Sequence, residues 1–164
     1  MPIAYIGLGS NMGDKIANLN KAIEELGKVP GNKVVAVSSI YKTEPVGGIE
    51  QDWFVNAVAE VETSLTPREL LNKLLYIEKN LGRVRDVKWG PRVIDLDILL
   101  YDDLVMDEEG LSIPHPYLHE RGFILVPLAE IAPKMIHPKL KKSMSELMHG
   151  IHDNKNIEKI GGVS

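Results

Sequence analysis

Apolar and polar positions recur along this chain with two periods, 2 and 3.6, and the change from one to the other marks out the elements. The apolar run Ile3 to Leu8 predicts a buried first strand, which Gly-Ser-Asn-Met-Gly-Asp at 9–14 breaks. Leu19, Ile23 and Leu26 then fall at helical spacing, with Gly27 as the predicted stop. Val34 to Tyr41 is rich in β-formers and predicts strand two, and Thr43-Glu-Pro-Val-Gly-Gly reads as a loop. Phe54 to Thr63 alternates strictly. Val55, Ala57, Ala59, Val61 and Thr63 share a core face, and Phe54, Asn56, Val58, Glu60 and Glu62 share a half-polar face that reads as open. Thr66-Pro-Arg-Glu is a helix start with Thr as N-cap, Pro at N1 and Glu at N3. Leu70, Leu74, Ile77 and Leu81 continue that helix and Gly82 ends it. Val93 to Tyr101 predicts another strand. Ile94, Leu96, Ile98 and Leu100 fall on one side, and Asp95, Asp97, Leu99 and Tyr101 on the other. A Pro-punctuated segment comes next over 114–138, then a last helix from Ser143 with Glu146 completing a capping box.

The order β-α-β-β-α-β is the ferredoxin-like plan, so the expected class is α+β with extra C-terminal helices and strands. At 164 residues, with no repeat and no linker, one domain over 1–164 is expected. The absence of Cys excludes disulfides and Cys-based metal sites. Neither a basic leader nor an apolar run of membrane-spanning length is visible, so a cytoplasmic protein is expected. A net charge of −4 and a pI near 5.7 argue against a general nucleic-acid binder. The charge is uneven, however. Residues 95–109 hold seven acids and no base, which leaves the rest of the chain net basic, and the ten residues from Arg83 to Arg92 hold four cations and one acid.

That contrast directs attention to Asp95-Leu-Asp97. On a strand, residues i and i+2 point the same way, roughly 6.6–6.8 Å apart along the chain. Two carboxylates so placed repel, and a hard cation such as Mg²⁺ relieves the repulsion. The alternative is a solvated strand face with two ordinary acids. Arg83, Arg85, Lys88 and Arg92 sit just upstream, in a segment that Gly90 and Pro91 mark as a loop. They suit a polyphosphate bound with its metal, or else form a solvated basic loop. Gly7-Leu-Gly9-Ser-Asn-Met-Gly13 is one residue too long for a dinucleotide fingerprint, and no Walker A sequence exists. It reads as a tight turn and helix cap, or as backbone lining a site. Phe54 and Asn56 share a face, where an aromatic ring and an amide could stack on and read a flat heterocycle; packing and backbone satisfaction are the alternative. His115 reads as a phosphate donor, a proton-transfer group or a structural hydrogen-bonder. His137, His149 and His152 show no ligand spacing and read as surface residues.

Together these residues resemble the 6-hydroxymethyl-7,8-dihydropterin pyrophosphokinase family over residues 3 to about 133. The most specific piece is Trp89-Gly-Pro-Arg-Val-Ile-Asp-Leu-Asp-Ile-Leu. Supporting pieces are Ala4-Tyr-Ile-Gly-Leu-Gly-Ser-Asn, Ser39-Ile-Tyr-Lys-Thr-Glu-Pro, Phe54-Val-Asn-Ala, Glu78 with Gly82-Arg-Val-Arg85, and Pro114-His115 with Arg121-Gly-Phe123. The resemblance implies a ferredoxin-like fold and transfer of pyrophosphate from ATP to the pterin hydroxymethyl oxygen, with AMP released. It implies two Mg²⁺ ions at Asp95 and Asp97, and ATP contacts from Arg83, Arg85, Lys88, Arg92, Ile98, His115 and Arg121. Trp89 would help seal the site, Phe54 and Phe123 would sandwich the pterin, and Asn56, Thr43 and Val46 would read its edge. The partners implied are ATP and the pterin, without nucleic acid or membrane, for a monomer or weak homodimer. Asp86 stands where the family loop often has a basic residue, Gly110 stands where one is sometimes found near the adenine, and no side chain stands out as a general base. Two other readings are a nucleotidyltransferase, from Gly9-Ser10 with the Asp pair, and an RNA-binding module on the same plan. In the first the motifs lie some 85 residues apart; in the second an Asp pair would occupy a central strand.

Overall fold

In the computed structural model, which describes residues 1–43, 53–81, 93–151 and 157–162, β1 (Ile3–Ser10) runs between two neighbours. It pairs antiparallel with β4 (Phe54–Thr63) on one side and β5 (Asp95–Tyr101) on the other. β2 (Asn32–Val37) and β3 (Ser39–Thr43) both pair with β4, and β8 (Ile157–Gly162) adds to the far side of β3. This is the strand order of a βαββαβ core with one strand appended.

The second strand expected over 34–41 is two strands, because Ser38 interrupts it. Its N–H donates to the Val58 carbonyl (2.8 Å), while its hydroxyl accepts from the Val58 N–H (2.8 Å) and donates to the Ser39 carbonyl (2.8 Å). A side chain thus takes over a backbone acceptor's place in the pairing.

Helices α1 (Lys15–Lys28) and α2 (Pro67–Asn80) cover one face of the sheet. Leu19, Leu26, Leu70 and Leu74 pack there on Ile6, Leu8, Val55, Ala57 and Val61. Asp14 caps α1 by accepting from the Ala17 N–H (3.2 Å). The helix runs through Gly27, where a stop was expected. Gly27 faces solvent, the interior penalty of one Gly is only about 1 kcal/mol, and Pro30-Gly31 ends the turn instead. The start of α2 is as expected, with both bonds of the capping box made.

The other face was expected to be open, yet half of it is covered. α3 (Gly122–Ile131) and α4 (Met144–His149) place Leu125, Leu128 and Met144 against Tyr5, Val58, Leu99 and Leu100. α3 lies inside the segment read only as Pro-punctuated. Its sequence is apolar nearly all round and contains Pro127, so it carries no amphipathic stripe to detect. In the connection to α4, His137 is 3% exposed and not a surface residue. Its Nδ1 accepts from the N–H groups of Lys139 (3.2 Å) and Leu140 (3.1 Å), which gives the buried ring its partners. His149 is exposed as expected, and His152 lies outside the described residues.

Two further departures concern β5 and the hairpin after it. β5 begins at Asp95, two residues later than expected, and carries a bulge. Ile98 pairs with Ile6, but Leu100 pairs with Tyr5. The extra residue reverses the alternation, so Leu100 joins Leu99 on the α3 side and Tyr101 turns to the α1–α2 core. Strands β6 (Met106–Glu108) and β7 (Leu111–Ile113) form a hairpin, with Gly110 at φ +75° in its turn. Among the described residues, no helix is long and apolar enough to cross a membrane.

Candidate active site

Where α3 and α4 stop covering the sheet, a cavity of about 420 Å³ opens. Its floor is set by strand register. One row across the sheet is Asp97–Gly7–Val58, and the next is Asp95–Gly9–Asn56–Tyr41. Gly7, Gly9, Asn56, Asp95 and Asp97 all line the cavity. The two glycines therefore belong to a strand and not to a turn, and Asp14 does the capping. A Cβ on Gly9 would lie 3.0 Å from Asn56 Oδ1, and one on Gly7 would lie 3.2 Å from Leu99 Cδ2. Their use here is close approach.

Asp95 is half-buried and Asp97 is exposed. Both face the cavity, and the strand beside them presents only glycine, which leaves room above the carboxylates. Between them, the Leu96 N–H donates to Glu78 Oε2 (2.8 Å), and Glu78 is 5% exposed on α2. This bond ties the backbone carrying the Asp pair to the helix layer beneath. Among the described residues, no group of three His, Asp or Glu side chains gathers for a metal. Two carboxylates on one face fit a hard cation that takes its other ligands from a phosphate.

Phe54, from the start of β4, and Phe123, from the first turn of α3, both line the cavity. Asn56 is 8% exposed, and its Nδ2 donates to Thr43 Oγ1 (3.0 Å), which fixes the amide's orientation. His115 comes directly after Pro114, and its N–H donates to the Leu99 carbonyl (2.9 Å). Its Nδ1 accepts from the Tyr117 N–H (3.1 Å), so the neutral ring carries its proton on Nε2. Burial, and then the charge of Arg121, hold the pKa of His115 below its ordinary value. The Arg121 guanidinium lies over the Tyr117 ring, 5.3 Å from its centroid.

The fold thus gathers Thr43, Phe54, Asn56, Asp95, Asp97, His115, Arg121 and Phe123 around one cavity. Ile98 does not line it. It sits one position off the Asp alternation, so its side chain is buried in the α1–α2 core on the opposite face. Val46, Arg83, Arg85, Lys88, Trp89 and Arg92 lie outside the described residues. Tyr117 was not singled out from the sequence. The available signal was an exposed aromatic between a His and an Arg.

The family model described as 7,8-dihydro-6-hydroxymethylpterin-pyrophosphokinase (HPPK) matches residues 5–133. A 2-amino-4-hydroxy-6-hydroxymethyldihydropteridine pyrophosphokinase of Methylorubrum extorquens is 53% identical over 136 residues, covering 83% of this chain and 86% of that one. The protein of the same description from Haemophilus influenzae is 42% identical over 158 residues, covering 96% and 98%. Among solved structures, wild-type Plasmodium falciparum HPPK-DHPS superposes with a TM-score of 0.73 at 17% identity, over 91% of this chain. This chain spans 44% of that longer one, and the likeness is one of fold.

Proposed function

Because the chain belongs to the 7,8-dihydro-6-hydroxymethylpterin-pyrophosphokinase family, we propose that its half-covered sheet face holds ATP and the pterin together and passes pyrophosphate between them. The family reaction is pyrophosphoryl transfer to hydroxymethyldihydropterin in folate biosynthesis, with ATP as co-substrate. The pterin hydroxymethyl oxygen attacks the β-phosphorus, the bond from that phosphorus to the α–β bridging oxygen breaks, AMP leaves and the hydroxyl loses its proton. The observation that carries the proposal is the row Asp95–Gly9–Asn56, which sets a charged end and a heterocycle-reading end on one open floor.

In this reading Phe54 and Phe123 flank the pterin ring, and Asn56 reads its edge with Thr43 and Val46. The orientation of Asn56 is already held by Thr43, so little is lost on ordering it. Asp95 and Asp97 would hold two Mg²⁺ ions. Bound there, Mg²⁺ neutralises phosphate charge and acidifies the attacking hydroxyl. His115, neutral at pH 7 with its proton on Nε2, donates to a phosphate oxygen beside Arg121. Arg83, Arg85, Lys88 and Arg92 add cations, and Trp89 closes the site. This division suits a reaction that needs positioning and charge stabilisation more than covalent help. Residues 1–164 would act as one domain in the cytoplasm, as a monomer or weak homodimer, without nucleic acid or membrane.

The test is AMP formation from ATP, Mg²⁺ and 6-hydroxymethyl-7,8-dihydropterin. Asp97→Ala should lower turnover by about 10²–10³-fold, the scale of losing one group that stabilises transition-state charge. Near-normal turnover of that variant would remove the metal assignment. Release of pyrophosphate in place of AMP would move the protein to the nucleotidyltransferases.

A further inference from the structure

α3 contributes Phe123 to the cavity, and its first turn is closed by the Ile124 and Leu125 N–H groups donating to the Arg121 carbonyl (3.1 and 3.0 Å). Pro127 has no N–H to donate to the Phe123 carbonyl one turn back. The N-cap, Arg121, makes no side-chain capping bond. Glu130 lies seven residues after Phe123, which is two helical turns and hence the same side of the helix. Its carboxylate spans from α3 to β3. Oε1 and Oε2 each accept from the Ser39 N–H (3.1 Å), Oε2 also accepts from the Ser39 hydroxyl (2.8 Å), and Oε1 accepts from the Tyr41 hydroxyl (2.6 Å). Burial alone would raise the pKa of Glu130; the bonds from Tyr41 and Ser39, with the charge of Lys159 on β8, hold it below the ordinary carboxylate value.

The strand end of this contact leads back to the cavity. Tyr41 pairs with Asn56, and Thr43 with Phe54. One carboxylate therefore joins the helix that carries Phe123 to the strand whose partner carries Phe54 and Asn56. We propose that Glu130, with Ser39 and Tyr41, is a positioning residue that sets the gap between Phe123 and Phe54. Glu130 itself does not line the cavity. It acts through Phe123, and this role rests on the pterin reading of the site given above.

The test is a double-mutant cycle on the full chain, read as the KM for hydroxymethyldihydropterin and, separately, the KM for ATP. Wild-type AMP formation comes first; its absence sinks the pterin reading itself, independently of Glu130. With that activity present, Glu130→Ala should raise the pterin KM about tenfold, the scale of a hydrogen-bonded charged group, and leave the ATP KM within about twofold. In a Phe123→Ala background the same change should have little further effect on the pterin KM. Additive effects, or equal losses for both substrates, overturn the proposal. Should Glu130→Ala fail to fold, Tyr41→Phe removes one bond while keeping the ring. It should give a smaller rise in pterin KM alone, and an unchanged pterin KM would count equally against the proposal.

Discussion

Gly9 meets two residues that matter to the proposed chemistry. It pairs with Asp95 on one side and Asn56 on the other, and it lines the cavity itself. A methyl group there would stand 3.0 Å from Asn56 Oδ1. The amide cannot swing away freely, because Thr43 holds its other end. Gly9→Ala is therefore expected to raise the pterin KM about three- to tenfold, the cost of roughly one disturbed hydrogen bond, with the ATP KM little changed. Steady-state kinetics in both substrates would check this, and an equal rise in both would count against it. Much of this neighbourhood is legible in the sequence, because the period of a strand is strictly two. Phe54 with Asn56, and Asp95 with Asp97, come from counting. The close approach at Gly9 does not, since it depends on which strand lies next door.

At the scale of elements, legibility tracks amphipathicity and capping chemistry. Thr66-Pro-Arg-Glu announces α2, and the structure has the full reciprocal cap, with the Glu69 N–H donating to Thr66 Oγ1 (3.2 Å) and the Thr66 N–H to Glu69 Oε1 (2.9 Å). Thr66→Ala should cost about 1 kcal/mol of folding stability with both KM values unchanged, measured by urea unfolding alongside kinetics. α3 carries no such signal. It is buried on nearly every side, so its sequence shows neither a polar face nor a cap, and Pro127 reads as a break. The interruption at Ser38 and the pairing of β8 are hidden for another reason. Each is decided by a partner distant in sequence, Val58 in one case and β3 in the other.

For the whole molecule, the net charge of −4 conceals a polarised layout, with acids concentrated from Asp95 to Glu109 and cations just upstream. Its pH response is set by fewer groups. His137 and His115 both have pKa values pushed below the ordinary one. Burial is the main cause for each, followed by His119 and then Lys139 for the first and by Arg121 for the second. The folded protein therefore binds fewer protons at these rings than the unfolded chain. Their contribution is fully present above about pH 6.5, the unfolded value, and declines as pH falls below it. Glu130 adds a similar loss at lower pH, as pH falls through its depressed folded value. Tm should thus drop between about pH 7.5 and about pH 5.5. His137→Asn can still accept from the Lys139 and Leu140 N–H groups but does not titrate, so it should flatten that drop. An unchanged slope would assign the effect elsewhere.

The bulge in β5 lets one short strand obey two phases. Ahead of it, the alternation aims Asp95 and Asp97 at the cavity; behind it, the reversed alternation sends Tyr101 to the other layer, where its hydroxyl donates to the Leu65 carbonyl (2.5 Å). The extra residue works like a slipped tooth between two gears. The carboxylates and the distant tyrosine can each keep their own setting without turning the other. Regular pairing of the same sequence, with no extra residue, would lock the gears together. Either the acid pair would rotate into the hydrocarbon layer or Tyr101 would lose its seat, and comparisons of related strands by hydrophobic pattern alone would slip by one position at the same place.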